Sequence, residues 1–277
     1  MSDTLRPMGF LPSADGYVGH ELYSAARPGL LAMPGYVCQP TLAIRDQRSV
    51  SSCVGVSTAT ALRDRLLIQG SEVVEFSPWW PYLGARLLGA ARRGLTRDAA
   101  RFMDDGCSPQ DAMAYLDSAG YCAEKWWPYD SGLPSDEPPV EALRHAWDQR
   151  GRAKMRRIYS ADDIRHALAA GHTITVAGPL DSAYQRYSGG VWQGVTGPVI
   201  GLHQRRIVAY LPSGDFVEAG SWSEEHGVSY AEATDGLAPS HSAVGGFVRV
   251  SADAYDDARE IYAFEWAADP SELAEGA

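Results

Sequence analysis

Hydrophobic periodicity changes character once along this chain, near Gly171, and that change limits the folds open to it. Before it, apolar residues recur at helical spacing. Val54, Ala61, Leu62 and Leu66 line one face of a segment that starts at Ser51-Ser52-Cys53, with either serine as cap and Gly70 as stop. Further helices are expected from Ser77-Pro78 through Leu87-Leu88 and from Ser108-Pro109 to Gly120, each with a capping serine and proline at the first helical position. Residues 140–150 and Ser160 to Ala170 read as helices too. Beyond Gly171, Thr173–Ala177, Ile207–Tyr210, Phe216–Ala219 and Phe247–Val250 read as strands between Gly/Pro turns. Helices followed by strands imply an α+β protein of two lobes. The expected division is an arm over 1–50 crossing between lobes, a helical lobe over 51–139 and a β-rich lobe over 140–277, with a Gly/Pro/Ser-rich linker at Ser131–Pro139.

The formal charge is −11, and no block of lysines and arginines interrupts the acidic balance. A nucleic-acid or anionic-membrane surface needs clustered positive charge, so neither is expected as a partner. No apolar run reaches the roughly 20 residues that span a bilayer, and Met1–Leu11 carries no basic-then-apolar leader. A cytoplasmic location, or incorporation in a larger particle, is the expectation. Cys38, Cys53, Cys107 and Cys122 are too few and too irregularly spaced for a disulfide framework or a zinc site. Nothing in the sequence calls for a metal or cofactor.

The most informative stretch is Asp46-Gln47-Arg48-Ser49-Val50-Ser51-Ser52-Cys53. It sets a cysteine at the start of a helix, six residues after a glutamine. The unpaired N–H groups and dipole of a helix N-terminus stabilise a thiolate. With a histidine nearby, a thiol there can fall from about 8.5 to roughly 3.5–7.5. The Cys53 N–H and the Gln47 amide suit an oxyanion, and together these are the parts that acyl transfer through a thioester needs.

The segment resembles the active-site cysteine region of papain-like cysteine peptidases, notably short bacterial and archaeal members without a long propeptide. Other stretches are similar to the same family, in the same order: Gly9-Phe10-Leu11-Pro12 through Tyr23-Ser24-Ala25; Phe76-Ser77-Pro78 with Tyr82, Ala85 and Arg86; Asp104-Asp105-Gly106-Cys107-Ser108; Gly120-Tyr121-Cys122; Trp127-Pro128-Tyr129-Asp130. Val199-Ile200-Gly201-Leu202-His203, Gly220-Ser221-Trp222 and Gly245-Gly246-Phe247 complete the series. The resemblance implies a two-lobe fold whose C-terminal lobe is an antiparallel, barrel-like sheet. It implies Cys53 as nucleophile, His203 as base and later acid, Gln47 as oxyanion donor and Trp222 as a shield over the histidine. Gly106, Cys107 and Ser108 would line the cleft for a peptide or protein substrate.

Three departures qualify it. Gly220 stands where the family has the asparagine that orients the histidine, so Glu218, Ser221 or a water must serve instead, or catalysis weakens. The strand after His203 begins with the polar Gln204-Arg205-Arg206. An inserted segment over 228–243, flanked by His226 and His241, could gate the cleft or bind a protein partner. These features sustain an alternative: a catalytically impaired papain-like protein with a structural or binding role in a larger assembly, such as a phage particle. The Trp79-Trp80 and Trp126-Trp127 pairs are expected in the core.

Overall fold

A computed structural model describes residues 8, 11, 34–41, 44–130, 132–133, 137–238, 245–256, 258 and 260–267. Most of the N-terminal arm, part of the Ser131–Pro139 linker and residues 239–244, with His241, lie outside the described residues.

A two-residue strand β1 (Val37–Cys38) is followed by α1 (Cys53–Gln69), α2 (Trp79–Arg92), α3 (Arg97–Phe102), α4 (Pro109–Ala119) and α5 (Val140–Asp148). Then come β2 (Ala153–Ile158), α6 (Ala161–Ala169), β3 (Thr173–Asp181), a single turn α7 (Ser182–Gln185), β4 (Val199–Tyr210) and β5 (Phe216–Ala219). A last single turn α8 (Tyr230–Ala233) precedes β6 (Phe247–Val250) and β7 (Glu260–Trp266). The strands form one antiparallel sheet in the order β2-β7-β3-β4-β5-β6, with β1 on β4. The fold is α+β, as expected, but β2 and β6 share no ladder, so the sheet is open and not a closed barrel.

The helices start and stop partly for other reasons than the sequence suggests. Ser108 accepts the Asp111 N–H and Ser160 the Asp163 N–H, as good caps should. Ser52 and Ser77 do not cap: the Ser52 hydroxyl is hydrogen-bonded to the Tyr129 hydroxyl at 2.7 Å, and the Ser77 hydroxyl has no partner. The N–H of Ser51 is instead taken by the Asp104 carboxylate, which fixes the chain entering α1. At its other end α1 closes on Gly70 in the left-handed region, φ 73°.

Two hydrophobic cores result. One lies among α1, α2 and α4 and reaches the β2 and β7 side chains Met155, Tyr262 and Phe264; the other lies around β3, β4, β5 and β6. Helix α1 belongs to both environments. It is buried all round from Cys53 to Asp64 and not on one face only, because α2 covers one side and β3, β4 and β7 the other. Gly55 permits the closest approach, since a Cβ there would stand 2.4 Å from the Pro78 carbonyl oxygen. Of the tryptophan pairs, Trp79, Trp80 and Trp127 are core residues, whereas Trp126 is 38% exposed beneath Lys125.

This sandwiching accounts for the polar start of β4. Arg206 forms an ion pair with Asp64 of α1, which also accepts from Thr41 at 2.6 Å and from Arg63 Nε at 3.0 Å. Arg205 points the other way, donating to both oxygens of Glu218 at 2.7 and 3.1 Å, with Tyr184 and Tyr255 on the same carboxylate. Both arginines are buried with charge partners, the condition under which an interior charge is tolerated. The first half of the inserted segment is also structural: Tyr230 of α8 stacks on Phe247 and donates to the Gln39 and Val208 carbonyls.

Removing one member of a buried pair leaves the other uncompensated. Asp64→Ala is expected to lower stability by about 3–5 kcal/mol, read by urea unfolding. The Asp64→Ala/Arg206→Met pair should cost less than the two single changes summed.

Candidate active site

Cys53 is the first residue of α1, and β4 crosses the tip of that helix. The N–H of Gln204 donates to Cys53 Sγ at 3.4 Å. Ser57 donates to the Gln204 carbonyl at 2.9 Å, and Gln204 Nε2 to Thr58 at 3.3 Å. The strand is thereby sewn to the first turns of the helix, and His203 is the residue before Gln204 on it. His203 pairs across the ladder with Gly178 of β3, so no side chain stands opposite the imidazole.

Trp222 lies flat on His203, with ring centroids 4.3 Å apart and 28° between planes. Ser221 Oγ is 3.5 Å from His203 Nε2 and donates its proton to Gln47 Oε1 at 2.6 Å. Gln47 is held from three directions. Its N–H donates to the Ser221 carbonyl at 2.8 Å, its Nε2 donates to the Val50 carbonyl at 2.9 Å, and its Oε1 takes the serine proton. Because that proton is committed to Gln47, the serine oxygen meets the imidazole with a lone pair. This assigns the Nε2–H tautomer to His203 and leaves Nδ1 as its basic nitrogen. Nδ1 makes no hydrogen bond to any described residue.

Gly220 leaves room for a side-chain carbon in ordinary van der Waals contact. A Cβ on Gly220 would meet nothing nearer than 3.7 Å, and its neighbours would be the Gly246 carbonyl oxygen and His226 Nδ1. His226 stacks on Tyr184, lies edge-on to Trp222 and sets its Nε2 3.0 Å from the Tyr184 carbonyl oxygen. Glu218, one of the expected substitutes for the asparagine, is engaged by Arg205 and two tyrosines and makes no contact with His203. Ser221 is the substitute that touches the imidazole. The approach of His226 carries no signal in sequence, because it depends on how the turn after Trp222 folds back.

Gly106, Cys107 and Ser108 are buried beside this centre, and the negative form of Cys53 is felt at Cys107. The Cys107 carbonyl accepts the N–H of Leu11 at 2.9 Å, and the Met8 side chain fills the space next to Gly201. Cys53 and His203 are both 0% exposed. None of the four cysteines is in a disulfide. Burial pushes the thiols of Cys38 to about 11 and Cys122 to about 12; it also raises Cys107, with the Cys53 charge adding to the effect. All three are poor nucleophiles near neutrality. Among the described residues no cluster of His, Cys, Asp and Glu is arranged to hold a metal ion, and no helix is long and apolar enough to cross a membrane.

Over most of its length the chain has the fold of the papain-like cysteine proteases. Xylellain, a cysteine protease from Xylella fastidiosa, superposes with a TM-score of 0.73 at 16% identity, covering 96% of this chain and 100% of that one. Procathepsin L 3 of the Tenebrio molitor larval midgut gives 0.61 at 17% identity over 88% and 73%. Procathepsin B S9 from Trypanosoma congolense gives 0.67 at 14% identity over 95% and 86%. No protein-family model and no curated protein sequence matches the chain.

Burial holds His203 well below the ordinary histidine value, and the positive charges of Arg205 and His226 act in the same direction. The folded chain therefore keeps this imidazole neutral near pH 7. The unfolded chain takes up the proton below about pH 6.5, so stability falls as pH drops from there toward the lower folded value. Melting temperature should decline between pH 7.5 and 5, and His203→Gln should flatten that decline.

Proposed function

We propose that this chain is a cysteine peptidase that cleaves peptide bonds through a thioester on Cys53. The observation that supports the reading is the Gln204 N–H, next in the chain to His203, on the sulfur of Cys53 at a helix N-terminus. His203 Nδ1 takes the thiol proton, the sulfur attacks the carbonyl, and the same imidazole returns the proton to the leaving amine. Gln47 Nε2 and the Cys53 N–H are the donors for the tetrahedral oxyanion. Ser221 supports the imidazole from Nε2 in place of the asparagine, and Trp222 keeps water from its face. Cys53 and His203 are fully covered, so substrate entry requires a rearrangement of the groups that cover them.

The alternative is a protein that keeps this architecture for binding within a larger assembly. It is favoured by the burial of both reactive groups and by the missing asparagine. Reaction with iodoacetamide or a peptidyl epoxide near pH 7 separates the two. The peptidase reading expects fast labelling confined to Cys53, absent in Cys53→Ala and slowed in His203→Ala. Slow labelling spread over several cysteines would leave the binding protein as the better account.

Two substitutions probe the orientation of His203. Ser221→Ala should lower kcat about tenfold with little change in KM, since a misaligned base costs rate and not affinity. Gly220→Asn, whose Cβ would meet only ordinary contacts, should raise kcat. An unchanged kcat in both would remove Ser221 from the mechanism.

A further inference from the structure

A cavity of about 320 Å³ lies among α2, the Gly106–Ser108 loop and the start of α4. Leu11 forms part of its wall, together with Ala85, Arg86, Gly89, Arg92, Arg93 and Asp111. Its charge is unlike that of the chain. The protein carries −11 overall, yet three guanidinium groups line this one space beside a single carboxylate. Asp111 is paired with Arg92, and Asp105, just outside, is 3.4 Å from Arg93. Arg86 is left with the weakest partners of the three. It is 2% exposed, lies 3.8 Å from Asp105 and donates only a long bond of 3.4 Å, to the Arg101 carbonyl. Its Nε and Nη2, both buried, make no hydrogen bond to any described residue. A guanidinium in the wall of a cavity, with two nitrogens short of partners, suits a planar anion.

The Leu11 contact says how a ligand would reach it. A backbone N–H already sits on the Cys107 carbonyl, and the side chain of that same residue helps to wall the cavity. A substrate strand that donates its N–H to Cys107 in place of Leu11 would present its own side chain there. The apolar surfaces of Ala85 and Gly89 suit a short aliphatic stem, and Arg86 suits a carboxylate at its end. We infer that this cavity is a specificity subsite, read by Arg86, for an acidic side chain, above all glutamate, on the substrate residue bound at Cys107. The inference rests on the peptidase reading and adds the substrate class to it.

The test is a set of peptidyl epoxides in which Glu, Gln or Lys is scanned through the three residues nearest the reactive group, reacted with the full chain. Any displacement of Leu11 is common to all of them and cancels in the ratios. At one position, Glu should react about tenfold or more faster than the isosteric Gln, the scale of a hydrogen bond to a charged group, and Lys slowest. In Arg86→Gln the Glu-to-Gln ratio should fall to about one. Should that variant not fold, Arg93→Gln, at a more exposed position, must still lower the ratio. Equal rates for Glu and Gln at every position, with Cys53 labelled, would overturn the acidic subsite and leave the peptidase standing. A ratio unmoved in Arg86→Gln would remove Arg86 as its reader. If no peptide reagent labels Cys53 at all, the peptidase reading fails, and the subsite with it.

Discussion

Strand β4 can meet the tip of α1 only if both are stripped of water along their shared surface, and most of the molecule follows from that contact. The stitches are few: Gln204 N–H to Cys53 sulfur, Ser57 to the Gln204 carbonyl, Gln204 amide to Thr58. Each is buried, so each group would be costly if left without a partner. Such contacts fix position more than they add stability. A shift of β4 by one residue would take the Gln204 N–H off Cys53 and strand Arg206 without Asp64. Register and chemistry are therefore set by the same strand.

The electrostatics around the site follow the same logic. Two arginines that follow the histidine are driven into opposite cores, and each has a carboxylate waiting: Asp64 on the helix side, Glu218 on the sheet side. The Glu218 network also braces Tyr184, whose carbonyl meets His226, which in turn flanks Trp222. The imidazole is thus enclosed by aromatic surface and fixed positive charge. That environment keeps it neutral.

Much of the architecture was legible in the sequence. The α4 cap at Ser108, the α6 cap at Ser160, the stop at Gly70 and the switch to strands near Gly171 are local events, governed by chain conformation within a few residues. So was the candidate pairing of a helix-tip cysteine with Gln47 and a strand-borne histidine. Less legible were strands β2 and β7. Lys154, Arg156 and Arg157 on β2 dilute its apolar signal, and the Arg156–Glu265 pair that rationalises them joins residues far apart in the chain.

Sequence alone determined the inventory: which residue types stand at which helix tip or strand, and that residue 220 is a glycine. Tertiary structure decided who meets whom. It took Ser52 and Ser77 out of capping, excluded Glu218 as a support for His203, placed Ser221 there, and buried Arg86 beside a cavity with donors to spare. Those outcomes turn on distances between elements tens to hundreds of residues apart, and no local pattern encodes a distance that only packing creates.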